Sequence, residues 1–142
     1  MHPALLLLVV ILVSCQSAAP RREARPEQEP AQDEKKSEAE FFDFKELEKQ
    51  RAESKRSYLP FLRSPALHCG VYSLAKGSTD GQRPHDEDEV YYVVSGRSQF
   101  TAGEQTQAVQ PGSVIFVAKE VEHRFHDIEE DLEILVFFST KK

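Results

Sequence analysis

Three patterns of apolar and polar positions follow one another along the chain. Residues Ala4 to Val13 form an unbroken apolar run, ALLLLVVILV. From Gln16 to about Lys36 large apolar residues are absent. Phe41, Phe44 and Leu47 then recur at a spacing of three in a stretch without Gly or Pro, which places them on one side of a helix. Ser37-Glu38-Ala39-Glu40 fits a capping box, in which a serine hydroxyl and a glutamate three residues on satisfy free amides of the first turn. The spacing predicts a short helix over about 38–55, inside a segment 37–57 and ended before Pro60. Its EKQRAESKRS half has hardly any apolar face and reads as solvated.

From Leu67 onward the period shortens. Strands are predicted over 70–74, 89–94, 98–102, 106–109, 113–117, 122–126 and 132–139. Turn formers separate them: Gly77 to Gly81, Ser95-Gly96, Gly103 and Pro111-Gly112. Many short strands at close, even spacing predict an all-β sandwich or barrel. The last run, LEILVFFS, is apolar at consecutive positions and reads as a buried central strand.

Composition narrows the picture. With 142 residues the chain has room for one domain and a little more. Net charge is −6 and the pI about 5.4, without the clustered basic surface that a nucleic-acid binder needs. Two cysteines, Cys15 and Cys69, allow neither a disulfide framework nor a C-x-x-C knuckle. Cys69 reads as a small buried hydrophobe. The apolar run is about half of what a spanning helix needs and fits the core of a secretory signal over 1–14. Leu12-Val13-Ser14-Cys15 resembles a bacterial lipobox, which implies acylation of Cys15 and a lipid anchor in the cell envelope. The other reading is an ordinary signal cut after Ser17-Ala18-Ala19, giving a secreted or periplasmic protein. Residues 15–36, with three prolines and mixed charge, read as a disordered linker to the domain at 58–142.

Candidate chemistry lies in the strands. Side chains alternate along a strand, so Glu89, Tyr91 and Val93 share one face, and His123 and Phe125 share another. His85, Glu89 and His123 thus offer two imidazoles and a carboxylate from separate strands or strand ends. That set holds divalent transition metals and leaves coordination positions open. His126 has the opposite parity to His123 and reads as a surface group; His68 has no partner in sequence. Asp86, Glu87 and Asp88 read as a solvated turn. Tyr91, Phe100, Phe116 and Phe125 read as core, with Tyr91 able to hydrogen-bond a ligand and Phe125 beside the site.

The spacing brings a resemblance. Gly81, His85, Glu89 and Gly96 fall into the first motif of the cupin superfamily, with three residues between His85 and Glu89 and six between Glu89 and Gly96. FVAKEVEHRF resembles the second motif, with His123 in register and Ala118 and Glu120 where a proline and a glycine are usual. The resemblance spans about residues 58–140. It implies a single double-stranded β-helix, or jelly-roll, barrel behind the short helix, with a metal inside one end. The motif's first histidine is missing, and Arg83 stands there. Arginine has no lone pair for a metal. Three readings stay open: Gln82 supplies a carbonyl oxygen, water completes a three-residue site, or the metal is lost and Arg83 clamps an anion.

Two classes of function follow. One is an envelope-tethered binding cupin that holds Fe, Mn, Ni, Zn or Cu, or only a small ligand, without turnover. The other is a metal-dependent enzyme, an oxygenase or isomerase, acting on a small polar substrate. The resemblance also implies a homodimer as a possible assembly.

Overall fold

The computed structural model describes residues 39–140. The signal segment, Cys15, the linker and Ser37 lie outside the described residues. The elements are α1 (Phe44–Ser54) and strands β1 (Tyr58–Arg63), β2 (Leu67–Leu74), β3 (Glu89–Ser95), β4 (Ser98–Ala102), β5 (Gln105–Val109), β6 (Val114–Val117), β7 (His123–His126) and β8 (Leu132–Ser139). Two sheets face each other, ordered β1-β2-β8-β3-β6 and β5-β4-β7, with every strand pair antiparallel.

The all-β expectation holds, and β8 is central, between β2 and β3. Its alternate residues Leu132, Ile134, Val136 and Phe138 enter the core, where they meet Tyr91, Val93, Phe100 and Phe125. β1 was not foreseen. Pro60 reads as a breaker, yet proline is tolerated on an edge strand, and β1 is an edge with a register shift between Pro60 and Leu62.

The helix is shorter than its pattern. It begins at Phe44 because Asp43 caps it, accepting the Glu46 amide at 3.1 Å. Phe41 is left 95 % exposed, while Phe42 packs edge-on against Phe61 with ring centroids 4.9 Å apart. α1 lies against β1 and β2, and Leu47, Cys69 and Val71 are buried apart from the main core. Arg51 reaches Glu133 at 3.1 Å, and Ser73 donates to the same carboxylate oxygen at 2.8 Å. Phe116 is not core. Val117 and Ile115 take the inward positions of β6, so parity turns Phe116 out at 65 % exposure.

Candidate metal centre

The site is assembled where strand ends of both sheets meet the long β2–β3 connection. Glu89 is the first residue of β3 and His123 the first of β7. Both are buried, and Glu89 Oε1 lies 3.6 Å from His123 Nε2. His85 comes from the connection, its ring centroid 5.7 Å from that of His123. One ligand atom from each of His85, Glu89 and His123 falls within 4.8 Å of the others. The three residues singled out in the sequence are therefore brought together.

Backbone geometry joins the two motif loops. Glu120, where the second motif usually has glycine, adopts a left-handed φ of 65°. Its amide donates to the His85 carbonyl at 2.7 Å. The acidic run does more than meet solvent. Asp88 accepts the Lys119 amide at 3.0 Å, and Glu87 pairs with His68 at 3.3 Å. His68, unassigned in the sequence, thereby fixes the same connection.

Hydrogen bonding shows what the cluster lacks. His123 Nδ1 is 2.8 Å from the Val121 carbonyl, which can only accept, so in the neutral ring Nδ1 carries the proton and Nε2 is bare. Nε2 then faces the Tyr91 hydroxyl at 2.9 Å. The same hydroxyl touches Glu89 Oε2 and lies 3.1 Å from Gln82 Oε1. One phenolic proton is thus shared among three acceptors. Burial first, and then the neighbouring Glu89, push the Tyr91 phenol above its ordinary range, so the proton stays. Buried lone pairs without matching donors are costly. A cation between them would satisfy the surplus, so the residues present fit a divalent metal.

Asp80 is the residue that sequence reading missed. It is buried and accepts from Tyr72 Oη (2.6 Å), Gln82 N (3.1 Å), Gln82 Nε2 (2.8 Å) and the Phe125 amide (2.9 Å). Because Nε2 is tied to Asp80, Gln82 presents Oε1 to the site. In sequence Asp80 looks like one more turn former beside Gly81; nothing local marks it as the anchor. Arg83 is exposed and lines a second cleft, which borders the site at Gln82 and His123 and also takes in Glu122 and Arg124. Phe125 is core, edge-on to Tyr91 at 5.6 Å. His126 faces outward, bonded to Thr101 Oγ1 at 2.8 Å and Asp127 at 3.0 Å, as its parity implies. An open cleft of about 780 Å³ reaches the cluster at Gln82, His85 and Tyr91, walled by Tyr58, Tyr72 and Phe138.

Comparison with known proteins bears on the fold. A family model described as "Cupin domain" matches residues 70–138. An uncharacterized protein of Streptomyces coelicolor is 50 % identical over 98 residues, which are 69 % of this chain and 93 % of that protein. The chain belongs to the cupin superfamily. Solved structures share its fold at low identity. A Thermus thermophilus protein superposes with TM-score 0.58 at 22 % identity, covering 73 % of this cupin and 100 % of that chain. KdgF from Halomonas sp. gives TM-score 0.54 at 19 %, covering 60 % and 78 %. A cupin 2 conserved barrel domain protein of Rhodopseudomonas palustris gives 0.53 at 15 %, covering 63 % and 67 %.

Proposed function

We propose that this cupin binds one divalent transition metal through His85, Glu89 and His123, with Gln82 Oε1 in place of the missing first histidine. It presents that metal to a small polar molecule. The observation that carries the reading is the surplus of acceptors around a single phenolic proton, those of Glu89 and His123 buried and that of Gln82 half-buried at the end of an open cleft. Such a metal supplies Lewis acidity toward a ligand oxygen. The chain's own residues divide the remaining work. Val121 fixes the His123 tautomer, Asp80 orients Gln82, and the Tyr91 hydroxyl holds a proton beside the ligand atoms.

Dialysis of the chain against Fe, Mn, Ni, Zn or Cu salts, then elemental analysis, tests this. About one equivalent of metal, lost in His85→Ala and His123→Ala, is expected. Parent and variants that retain the same trace amount would refute it. Turnover is the second reading, favoured by the accessible cleft. Metal-dependent conversion of a small polar substrate, abolished in Glu89→Gln, would establish it. From the lipobox-like LVSC alone we further propose that Cys15 anchors the mature chain in a bacterial envelope. Radiolabelled fatty acid incorporated by the parent but not by Cys15→Ser would bear this out, and equal labelling would sink it.

A further inference from the structure

The cleft has a charged end that the metal centre leaves unused. On the inner face of the larger sheet, Arg63, His68, Phe138 and Glu89 are successive register partners in one transverse row. Neighbouring strands lie about 4.8 Å apart, so three steps from β3 to β1 put the Arg63 backbone about 14 Å from that of Glu89. Arg63 lines the cleft at one end, and Gln82, His85 and Tyr91, grouped around the buried Glu89, line it at the other.

His68 is occupied, paired with Glu87 and stacked on the Phe138 ring at 5.9 Å. Arg63 is exposed, and among the described residues it has no carboxylate at ion-pair distance. Burial raises the Tyr58 phenol pKa; Cys69, Glu87 and Glu89 add to the rise and the Arg63 charge opposes it, so charges from both ends of the cleft act on this wall. Tyr58 lies so close over Gly70 that a β-carbon there would sit 2.1 Å from its ring. The residue without a side chain thus lets an aromatic wall run between the two ends. A divalent ion on Glu89 and the Arg63 guanidinium together balance the carboxylates of Glu87, Glu89 and Asp80, the last of which holds Gln82 and Tyr72 of the cleft wall. The two positive centres at the ends of the cleft are then the places that an anion can bind.

Resting on the metal reading above, we propose that the cleft takes a small carboxylate with a second oxygen donor at its far end. Arg63 grips the carboxylate in a two-pronged ion pair, and the body passes the Tyr58 and Phe138 rings so that the second donor reaches the metal. An uncharged sugar or an apolar ligand would leave Arg63 unused.

The full chain is loaded with metal, freed of excess, assayed for metal content, and titrated calorimetrically with glutarate, adipate and pimelate. Monocarboxylates of equal carbon number are the one-ended controls. At least one dicarboxylate should bind tenfold or more tightly than its control. Arg63→Gln should erase that advantage with metal content unchanged. Equal binding of the pair, or an advantage that survives Arg63→Gln, overturns the proposal and leaves the metal centre standing. A parent chain that takes up no metal overturns the metal reading itself, and this inference with it; the metal assay tells the two failures apart.

Discussion

Replacing Asp80 tests both the fold and the site, because one buried carboxylate serves four donors. In Asp80→Ala the two Gln82 donors sit on a half-buried loop and can turn to water. The Phe125 amide is buried and the Tyr72 hydroxyl half-buried, and they are not so easily rescued. Leaving a buried donor unmade costs about 1–3 kcal/mol, and bonds to a charged group lie at the upper end. Removing the carboxylate also removes its own desolvation cost, so a net loss of about 3 kcal/mol is expected. For a domain of this size each kcal/mol moves Tm by about 4–8 °C, which gives a drop of roughly 12–24 °C. Asp80→Asn keeps the shape and one acceptor and should lose about half as much. Its amide no longer holds Gln82 Nε2, so metal affinity should fall about 10–100-fold in a chain that still folds. Urea unfolding followed by circular dichroism measures the first effect, and metal titration the second. A loss under about 1 kcal/mol for Asp80→Ala would refute the hub argument. Parent-like metal affinity in Asp80→Asn would refute Gln82 as the aimed ligand.

Three further outcomes follow from the packing and the titration. Glu120→Gly relieves a left-handed residue and should stabilise by about 0.5–1 kcal/mol, read as a higher urea midpoint; a lower midpoint would show the glutamate side chain to matter. Phe116→Lys, on the exposed outer face, should change stability by less than about 0.5 kcal/mol, while Phe125→Ala should cost about 3–5; comparable losses would contradict the parity assignment. Burial holds the Glu133 carboxyl above its ordinary range against the pull of Ser73 and Arg51. The folded chain then binds that proton more tightly than the unfolded chain. Its contribution is full below the unfolded pKa and lost as pH rises through the folded value. Relative to Glu133→Gln, the parent should lose stability between about pH 4 and neutrality; parallel curves would contradict this.

The fold was legible where local pattern and tertiary role coincide. Alternation in EVYYVVS and the apolar run of LEILVFFS place a half-buried and a central strand without knowledge of partners. It failed where partners decide. Pro60 excludes an interior strand but not an edge, and only the sheet order shows that β1 is one. Ser37 fits a capping box in sequence, yet Asp43 caps the helix in the fold, and the contact of Phe42 with Phe61 goes with this later start. Phe116 went wrong by one residue of register, which inverts every side chain of a strand. At the site, His85, Glu89 and His123 could be found because their spacing carries the motif. Asp80 and Arg63 could not. Their roles come from hydrogen bonds and register across the sheets, joining positions 45 residues apart for Asp80 and Phe125.

The most direct test of the central claim is an anomalous-scattering map from a crystal of the metal-loaded chain, collected at the absorption edge of the metal it retains. The account predicts a single strong peak enclosed by His85, Glu89 and His123, with Gln82 Oε1 on its border. A loaded crystal with no peak there, or with its peak on the exposed acidic residues instead, would contradict it.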